Sequence, residues 1–411
     1  MPVFSKVRGP MKKYIVIIGD GMAGWPMADY NNQTSLERAL IPNMDYLVKY
    51  GTIGLVKTVP DLLPPGSDVA NLSVFGYDPL KYYTGRAPIE AVSLNIVLGD
   101  HDTVFRANLV YINENNIMAD FTAGHIKSED AQILIQDLNL ELQKKYPSLS
   151  FYPGVSYRNL MLANDEFSSI KTTPPHDITG KDFREYLPVG EKSEVINNVM
   201  NDCSLILENH QLNKTKKAKN EIYANALWLW GEGKKVNLPK FKETYGLSGA
   251  VITAVDLVKG LGLAASMEYI KVPGITGFID TNYAGKAEYA LNALNNHDIV
   301  FVHIEAPDEA GHMGNESLKK EAIEHIDKEV VGRILQEAHR FNNLSILVLP
   351  DHETPIEIKT HTSNPVPFVM YNTKHRALGA FDKYSEKVAV KSGIMVDPGS
   401  SLLDFFINKF S

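Results

Sequence analysis

At 411 residues the chain is long enough for two or three domains, at a soft scale of about 150 residues each. Its 44% hydrophobic and 22% charged content is ordinary for a globular protein, and a net charge of -8 argues against nucleic acid as the main partner, because phosphate binding needs a basic face. One cysteine, Cys203, excludes an internal disulfide and suits the cytoplasm, while no apolar stretch approaches the roughly 18 residues of a membrane span.

Residues 1–10 hold no apolar core of signal-peptide length and read as an N-terminal extension. The apolar run Tyr14–Ile18 then reads as a buried parallel strand. An amphipathic helix is expected over Ser35–Tyr50, with Leu36, Leu40, Met44, Leu47 and Val48 on one face, and a strand over Thr52–Val59. The Pro- and Gly-rich loop from Asp61 ends at Ser67-Asp68, where a helix should start. From about residue 82 the character changes. Strand-like segments (Thr103–Ile112, Leu149–Phe151, Leu160–Ala163) mix with helices (Glu129–Lys145, Ser193–Glu208), Gly231 opens a loop, and helix Ala254–Leu261 closes the region. After Pro273 the α/β rhythm resumes: helix Lys286–Asn295, strand Ile299–Ile304, helix Ser317–Arg340, strand Ile346–Leu349, and a short helix over Ser401–Phe410. The expected fold is α/β with a mainly parallel sheet. Its core is split between residues 11–82 and 276–411, and residues 83–275 form an inserted α+β domain.

Three of the strands end in chemistry. Gly19-Asp20-Gly21 follows the first, Asp308-x-x-x-His312 the second and Asp351-His352 the third. Ligands in open α/β sheets bind at the carboxyl ends of strands, so one sheet edge collects these side chains. Carboxylates and imidazoles suit Mn²⁺, Zn²⁺, Fe²⁺ or Co²⁺ better than Ca²⁺. With His361 there are enough ligands for two ions: Asp308, His312 and His361 for one, and Asp20, Asp351, His352 and a hydroxyl for the other. Ser67 supplies that hydroxyl. At a helix N-terminus it is either a cap or a nucleophile, and without a Gly-x-Ser-x-Gly elbow it would need a metal for activation. His297, His303, His325 and His339 are assigned structural roles. Gly19-Asp-Gly-Met-Ala-Gly24 has the form of a dinucleotide fingerprint, but Asp20 would put a carboxylate at the pyrophosphate and Trp25-Pro26 continues a helix poorly.

Longer segments add specificity: Pro64-Pro-Gly-Ser67-Asp-Val-Ala-Asn71, Gly76-Tyr-Asp-Pro, Thr84-Gly-Arg86-Ala-Pro, Thr281-Asn-Tyr-Ala-Gly-Lys286, Glu305-Ala-Pro-Asp308-Glu-Ala-Gly-His312 and Asp351-His352-Glu-Thr-Pro. Together they resemble the archaeal-type cofactor-independent phosphoglycerate mutases of the alkaline phosphatase superfamily. The resemblance implies an alkaline-phosphatase-like three-layer core. It implies that 3- and 2-phosphoglycerate interconvert through a phosphoserine on Ser67, without 2,3-bisphosphoglycerate. One ion would bind Asp20, Ser67, Asp351 and His352, the other Asp308, His312 and His361. Mn²⁺ or Zn²⁺ is expected, with Co²⁺ and Mg²⁺ as further candidates. A phosphomonoesterase or phosphopentose mutase of the same superfamily is the alternative, and the chain can be a homo-oligomer.

Counting charge sharpens the expectation. Asp20, Asp308, Asp351 and a Ser67 alkoxide cancel two divalent ions, so basic groups elsewhere must attract a trianionic substrate. Arg86, Arg158 and Lys286 are candidates, with Asn71 and His176 as further contacts and Asp177 as general acid and base. The insert is expected to close over the strand ends and exclude water, with hinges near 82–86 and 273–282.

Overall fold

The computed structural model describes residues 12–167, 169–376 and 378–410. The N-terminal extension expected over 1–10 lies outside them. The chain divides into two compact units, one running to Tyr83 and resuming at Asn237, the other spanning Thr84–Val236.

The strands, in chain order, open with β1 (Lys13–Gly19) and β2 (Thr52–Val56) in the first unit. The second unit holds β3 (Thr103–Ile112), β4 (Met118–Asp120), β5 (Leu149–Val155), β6 (Arg158–Ala163) and β7 (Ala226–Gly233). The first unit resumes with β8 (Gly249–Ile252), β9 (Glu268–Tyr269), β10 (Ile299–Ile304), β11 (Leu344–Leu349), β12 (Val366–Asn372) and β13 (Met395–Val396).

In the first unit eight strands form one sheet in the order β13-β2-β12-β11-β1-β10-β8-β9. Only β12 pairs antiparallel to its neighbours. The three strands singled out from the sequence are the adjacent β11, β1 and β10. They are in register at their carboxyl ends, Ile18 beside Leu349 and Gly19 beside Ile304. Both faces are covered, which is why these strands read as unbroken apolar runs. Ile15, Ile17, Val300, Val302, Ile346 and Val348 pack on one side with Met44, Leu47, Ala287 and Ile326. On the other, Phe301 meets Phe75 at a ring distance of 4.6 Å and Phe241 at 5.8 Å.

The insert is shorter than the 83–275 expected. Residues 237–275 belong to the first unit, because β8 pairs in parallel with β10 and extends the sheet. The helix expected over Ser35–Tyr50 is two helices, Ser35–Arg38 and Pro42–Lys49. Pro42 has no N–H to continue the first one, and Leu40, assigned to the buried face, is 76% exposed in the break. The second unit is α+β. Its five strands pair antiparallel, and helices Ser128–Leu142 and Ser193–Asn209 share a core with Phe105, Leu109, Met161 and Trp228. The loop expected at Gly231 is instead the end of β7.

Candidate active site

Helix Ser67–Val74 begins at Ser67, after the extended Gly66. Ser67 therefore occupies the first helical position, not the cap. Its Oγ lies 3.0 Å from His352 Nε2. The same nitrogen is 3.4 Å from Asp20 Oδ1 and 3.6 Å from Asp351 Oδ2. Asp20, Asp351 and His352 are all buried. Asp20 Oδ1 has no hydrogen-bond partner, and an unpaired buried carboxylate oxygen is costly unless a cation meets it. Burial first, then the charges of Asp351, Asp308 and Glu305, push the Asp20 carboxyl well above the ordinary range. Four donor atoms thus converge on one point that lacks positive charge.

The second group lies beside it. Helix Ala306–His312 puts Asp308 and His312 one turn apart, as their spacing requires. His312 Nε2 is 3.2 Å from Asp308 Oδ2 and 2.9 Å from His361 Nε2, which is 3.4 Å from Asp308 Oδ1. His312 Nδ1 is 2.9 Å from the Lys359 carbonyl. Nδ1 must donate there, so a neutral His312 would present its Nε2 lone pair to the cluster. Burial works against a charged His312, but the Asp308 carboxylate outweighs it and raises the imidazole to about 9. Here too the side chains call for a cation. Ligand atoms of Asp308, His312 and His361 lie within 4.8 Å of one another, as do those of Asp20, Asp308 and His352, so the two groups are contiguous.

Thr354 joins them. Its hydroxyl donates to Asp308 Oδ1 and sits 3.3 Å from His352 Nδ1. With its proton on Asp308, Thr354 accepts from His352 Nδ1–H, so the His352 Nε2 lone pair faces Ser67. Gly21 explains its own glycine. At φ 59° a Cβ would stand 2.5 Å from Thr354 Oγ1 and 2.6 Å from Asp308 Oδ1. Its backbone N–H points at Asp351 Oδ1, 3.2 Å away, where a dinucleotide reading would need a pyrophosphate.

Two residues expected at the substrate are placed inside the protein. Asn71 is buried and donates to the Ser67 carbonyl (2.9 Å) and Asp351 Oδ2 (2.8 Å). Lys286 is buried with its ammonium 2.8 Å from the His303 carbonyl, and burial lowers it to about 7 despite Glu305. Both are hydrogen-bonded beside the acid–imidazole cluster, and the amide oxygen of Asn71 has no hydrogen-bond partner.

In the second unit Arg86 and Arg158 belong to one cluster with Arg106 and Glu90. Arg86 Nε is 3.3 Å from Glu90 Oε1, and Arg106 Nε is 2.9 Å from Glu90 Oε2. Burial would raise the Glu90 carboxyl, but Arg106, Arg86 and Arg158 together hold it below its usual value. Three guanidiniums on one carboxylate leave a net positive charge. Arg106 also lies 4.4 Å from the Trp230 ring, which His176 meets edge-on at 5.4 Å. Asp177 follows on the short helix Pro175–Ile178, more than half exposed.

Thr354 and Arg106 were not singled out from the sequence, and His303 was assigned only a structural role. Arg106 leaves a trace, as a lone charge in the apolar strand β3. His303 leaves a weaker one: alternation along β10 puts it on the face of Phe301.

A family model described as 2,3-bisphosphoglycerate-independent phosphoglycerate mutase matches residues 49–213. A protein of that name from Methanosarcina barkeri is 46% identical over 397 residues, covering 96% of this chain and 99% of the relative. The chain belongs to this family. Another member, from Sulfolobus acidocaldarius, is 33% identical and covers 97% of this chain and 98% of itself. Among solved structures, a Pyrococcus horikoshii protein is similar with a TM-score of 0.81 at 28% identity, covering 97% of each chain. The cofactor-independent phosphoglycerate mutase from Thermoplasma acidophilum is similar with a TM-score of 0.63 at 26% identity, covering 98% of this chain and 100% of its own. The protein is therefore a 2,3-bisphosphoglycerate-independent phosphoglycerate mutase family enzyme, and no helix among its described residues is long and apolar enough to cross a membrane.

Proposed function

We propose that the enzyme interconverts 3- and 2-phosphoglycerate through a phosphoserine on Ser67, at a centre for two divalent cations, in the cytoplasm. The observation that supports this most directly is the convergence of Ser67 Oγ, at 3.0 Å, and the unpartnered Asp20 Oδ1, at 3.4 Å, on His352 Nε2. Asp20, Ser67, Asp351 and His352 would hold one ion and Asp308, His312 and His361 the other, with Mn²⁺ or Zn²⁺ suited to such ligands. Bound there, the ions would lower the hydroxyl pKa of Ser67 and offset charge on the transferring phosphoryl group.

Ser67 Oγ attacks phosphorus, its bond to the C3 oxygen breaks, and glycerate is left with a free 3-hydroxyl. After glycerate turns, its 2-hydroxyl attacks the same phosphorus and the bond to Ser67 Oγ breaks. The helix N-terminus at Ser67 favours the anionic group in both steps. We assign anion binding to Arg86 and Arg158, joined by Arg106, on the net charge of their cluster. Asp177 would exchange the hydroxyl protons, with His176 beside it.

The test is to incubate purified protein with 3-phosphoglycerate, without bisphosphoglycerate, and assay 2-phosphoglycerate and free phosphate together. Isomer without phosphate supports a mutase; phosphate alone would mean a phosphatase. Ser67→Ala should abolish phosphoenzyme and turnover while binding at the Asp308 group persists.

A further inference from the structure

His303 lies fully buried on β10, and the mechanism above gives it nothing to do. Its Nε2 is 3.1 Å from Asp20 Oδ2, and its Nδ1 is 3.2 Å from Thr253 Oγ1. Thr253 Oγ1 in turn accepts the Val255 N–H at 3.0 Å. The three side chains sit at the ends of adjacent strands β1, β10 and β8. Ile18 pairs with His303, Val302 pairs with Ile252, and Thr253 is the next residue along. The backbone is fixed at the same place, since Asp20 N–H donates to the Ile304 carbonyl at 2.9 Å and Lys286 to the His303 carbonyl.

We infer that His303, anchored by Thr253, is a positioning residue that holds Oδ2 of Asp20 so that Oδ1 faces the cation site. This rests on the two-cation reading above. A carboxylate with one oxygen bound can still rotate about its terminal bond, which is soft for Asp. A donor fixed on Oδ2 removes that freedom. Outer hydrogen bonds of this kind orient ligating carboxylates, and their loss typically costs about 10- to 100-fold in metal affinity. Direct ligation by His303 is the competing use, because its ring nitrogen also lies within 4.8 Å of ligand atoms of Asp20 and Asp351. Geometry favours positioning. The His352–Ser67 point is served by Oδ1 of Asp20, whereas His303 engages Oδ2. A neutral imidazole that donates from Nε2 to the carboxylate and accepts the Thr253 hydroxyl at Nδ1 satisfies both ring nitrogens.

The experiment titrates chelator-stripped protein with Mn²⁺ by calorimetry and records the visible spectrum of the Co²⁺ form. His303→Leu should weaken one of the two Mn²⁺ sites about 10- to 100-fold, with stoichiometry and Co²⁺ bands unchanged. His303→Gln, which keeps an N–H at that reach, should recover most of the affinity. Thr253→Val should shift the same site in the same direction, and Thr253→Ser should not. These last two give the readout if His303→Leu does not fold. Wild-type Mn²⁺ affinity in His303→Leu, or in Thr253→Val if that is the readout, overturns the inference. So does loss of one ion with altered Co²⁺ bands in both His303 variants, which would make His303 a ligand. Asp20→Asn separates the two levels: if it leaves Mn²⁺ binding intact, the cation reading itself falls and the inference with it.

Discussion

Thr354 shows how much one hydroxyl decides. It links the two acid–imidazole groups and, by accepting a hydrogen bond from His352 Nδ1–H, sets which lone pair faces Ser67. Thr354→Val keeps the shape and removes the relay, so kcat should fall about 10- to 100-fold with an unchanged circular dichroism spectrum. Thr354→Ser should restore most of it, and wild-type kcat in the valine variant would sink the assignment. Gly21 is as tightly constrained. Gly21→Ala would strain a φ of 59° and drive a methyl into Thr354 and Asp308, costing on the order of 1–3 kcal/mol, measured by urea unfolding. The sequence made the candidate ligands legible because Asp20, Asp308 and Asp351 closely follow apolar runs that end in turns. It hid Thr354, and gave His303 only a structural role, because each is one residue whose partners come from other strands. It did not show that Asn71 and Lys286 are buried, because a motif says which residues are near a site and not how deep they lie.

At the scale of elements, legibility followed length and burial. β1, β10 and β11 stand between two covering layers and are apolar throughout, so each reads as a strand at once. β8 has four residues and sits just past the insert, and nothing local distinguishes it from the insert's own strands; its place comes from pairing with β10. Helix Ser67–Val74 is held to the sheet through Phe75 on Phe301. Phe301→Ala should destabilise the protein by about 3–5 kcal/mol. Chemical denaturation checks the loss, and a change under 1 kcal/mol would mean the layers are not locked there.

The insert has its own test in Glu90, whose carboxyl lies below the usual value because three arginines outweigh burial. A depressed acid adds stability above its unfolded value of 4.5, and that stability is lost as pH falls through the folded value. Glu90→Gln should therefore cost about 1.5–3 kcal/mol at pH 7, typical for hydrogen bonds to charged groups, and progressively less below pH 4.5. A pH-independent difference would remove the charge from the explanation.

For the whole molecule, the separation of cores makes cation binding a selective perturbation. The first unit packs around the eight-stranded sheet, while the second has a core of its own around Phe105, Leu134 and Trp228. Each acid–imidazole group that can hold a metal, among the described residues, belongs to the first unit. Without cations that unit keeps three buried aspartates close together, and burial with their mutual repulsion pushes the Asp20 carboxyl well above its ordinary range. A cation that binds only the folded state would add ~2.7 kcal/mol per site at about 100 times its dissociation constant. For a unit of this size that is ~5–10 °C in Tm. Calorimetric scans with chelator and then with excess Mn²⁺ should therefore show a transition that falls and recovers by this amount, and a second that stays fixed. The moving transition should be the one lost in stability on Phe301→Ala, and the fixed one should be the one lowered by Glu90→Gln. Two transitions that move together would mean that the units unfold as one; none moving would mean that the acid cluster holds no cation.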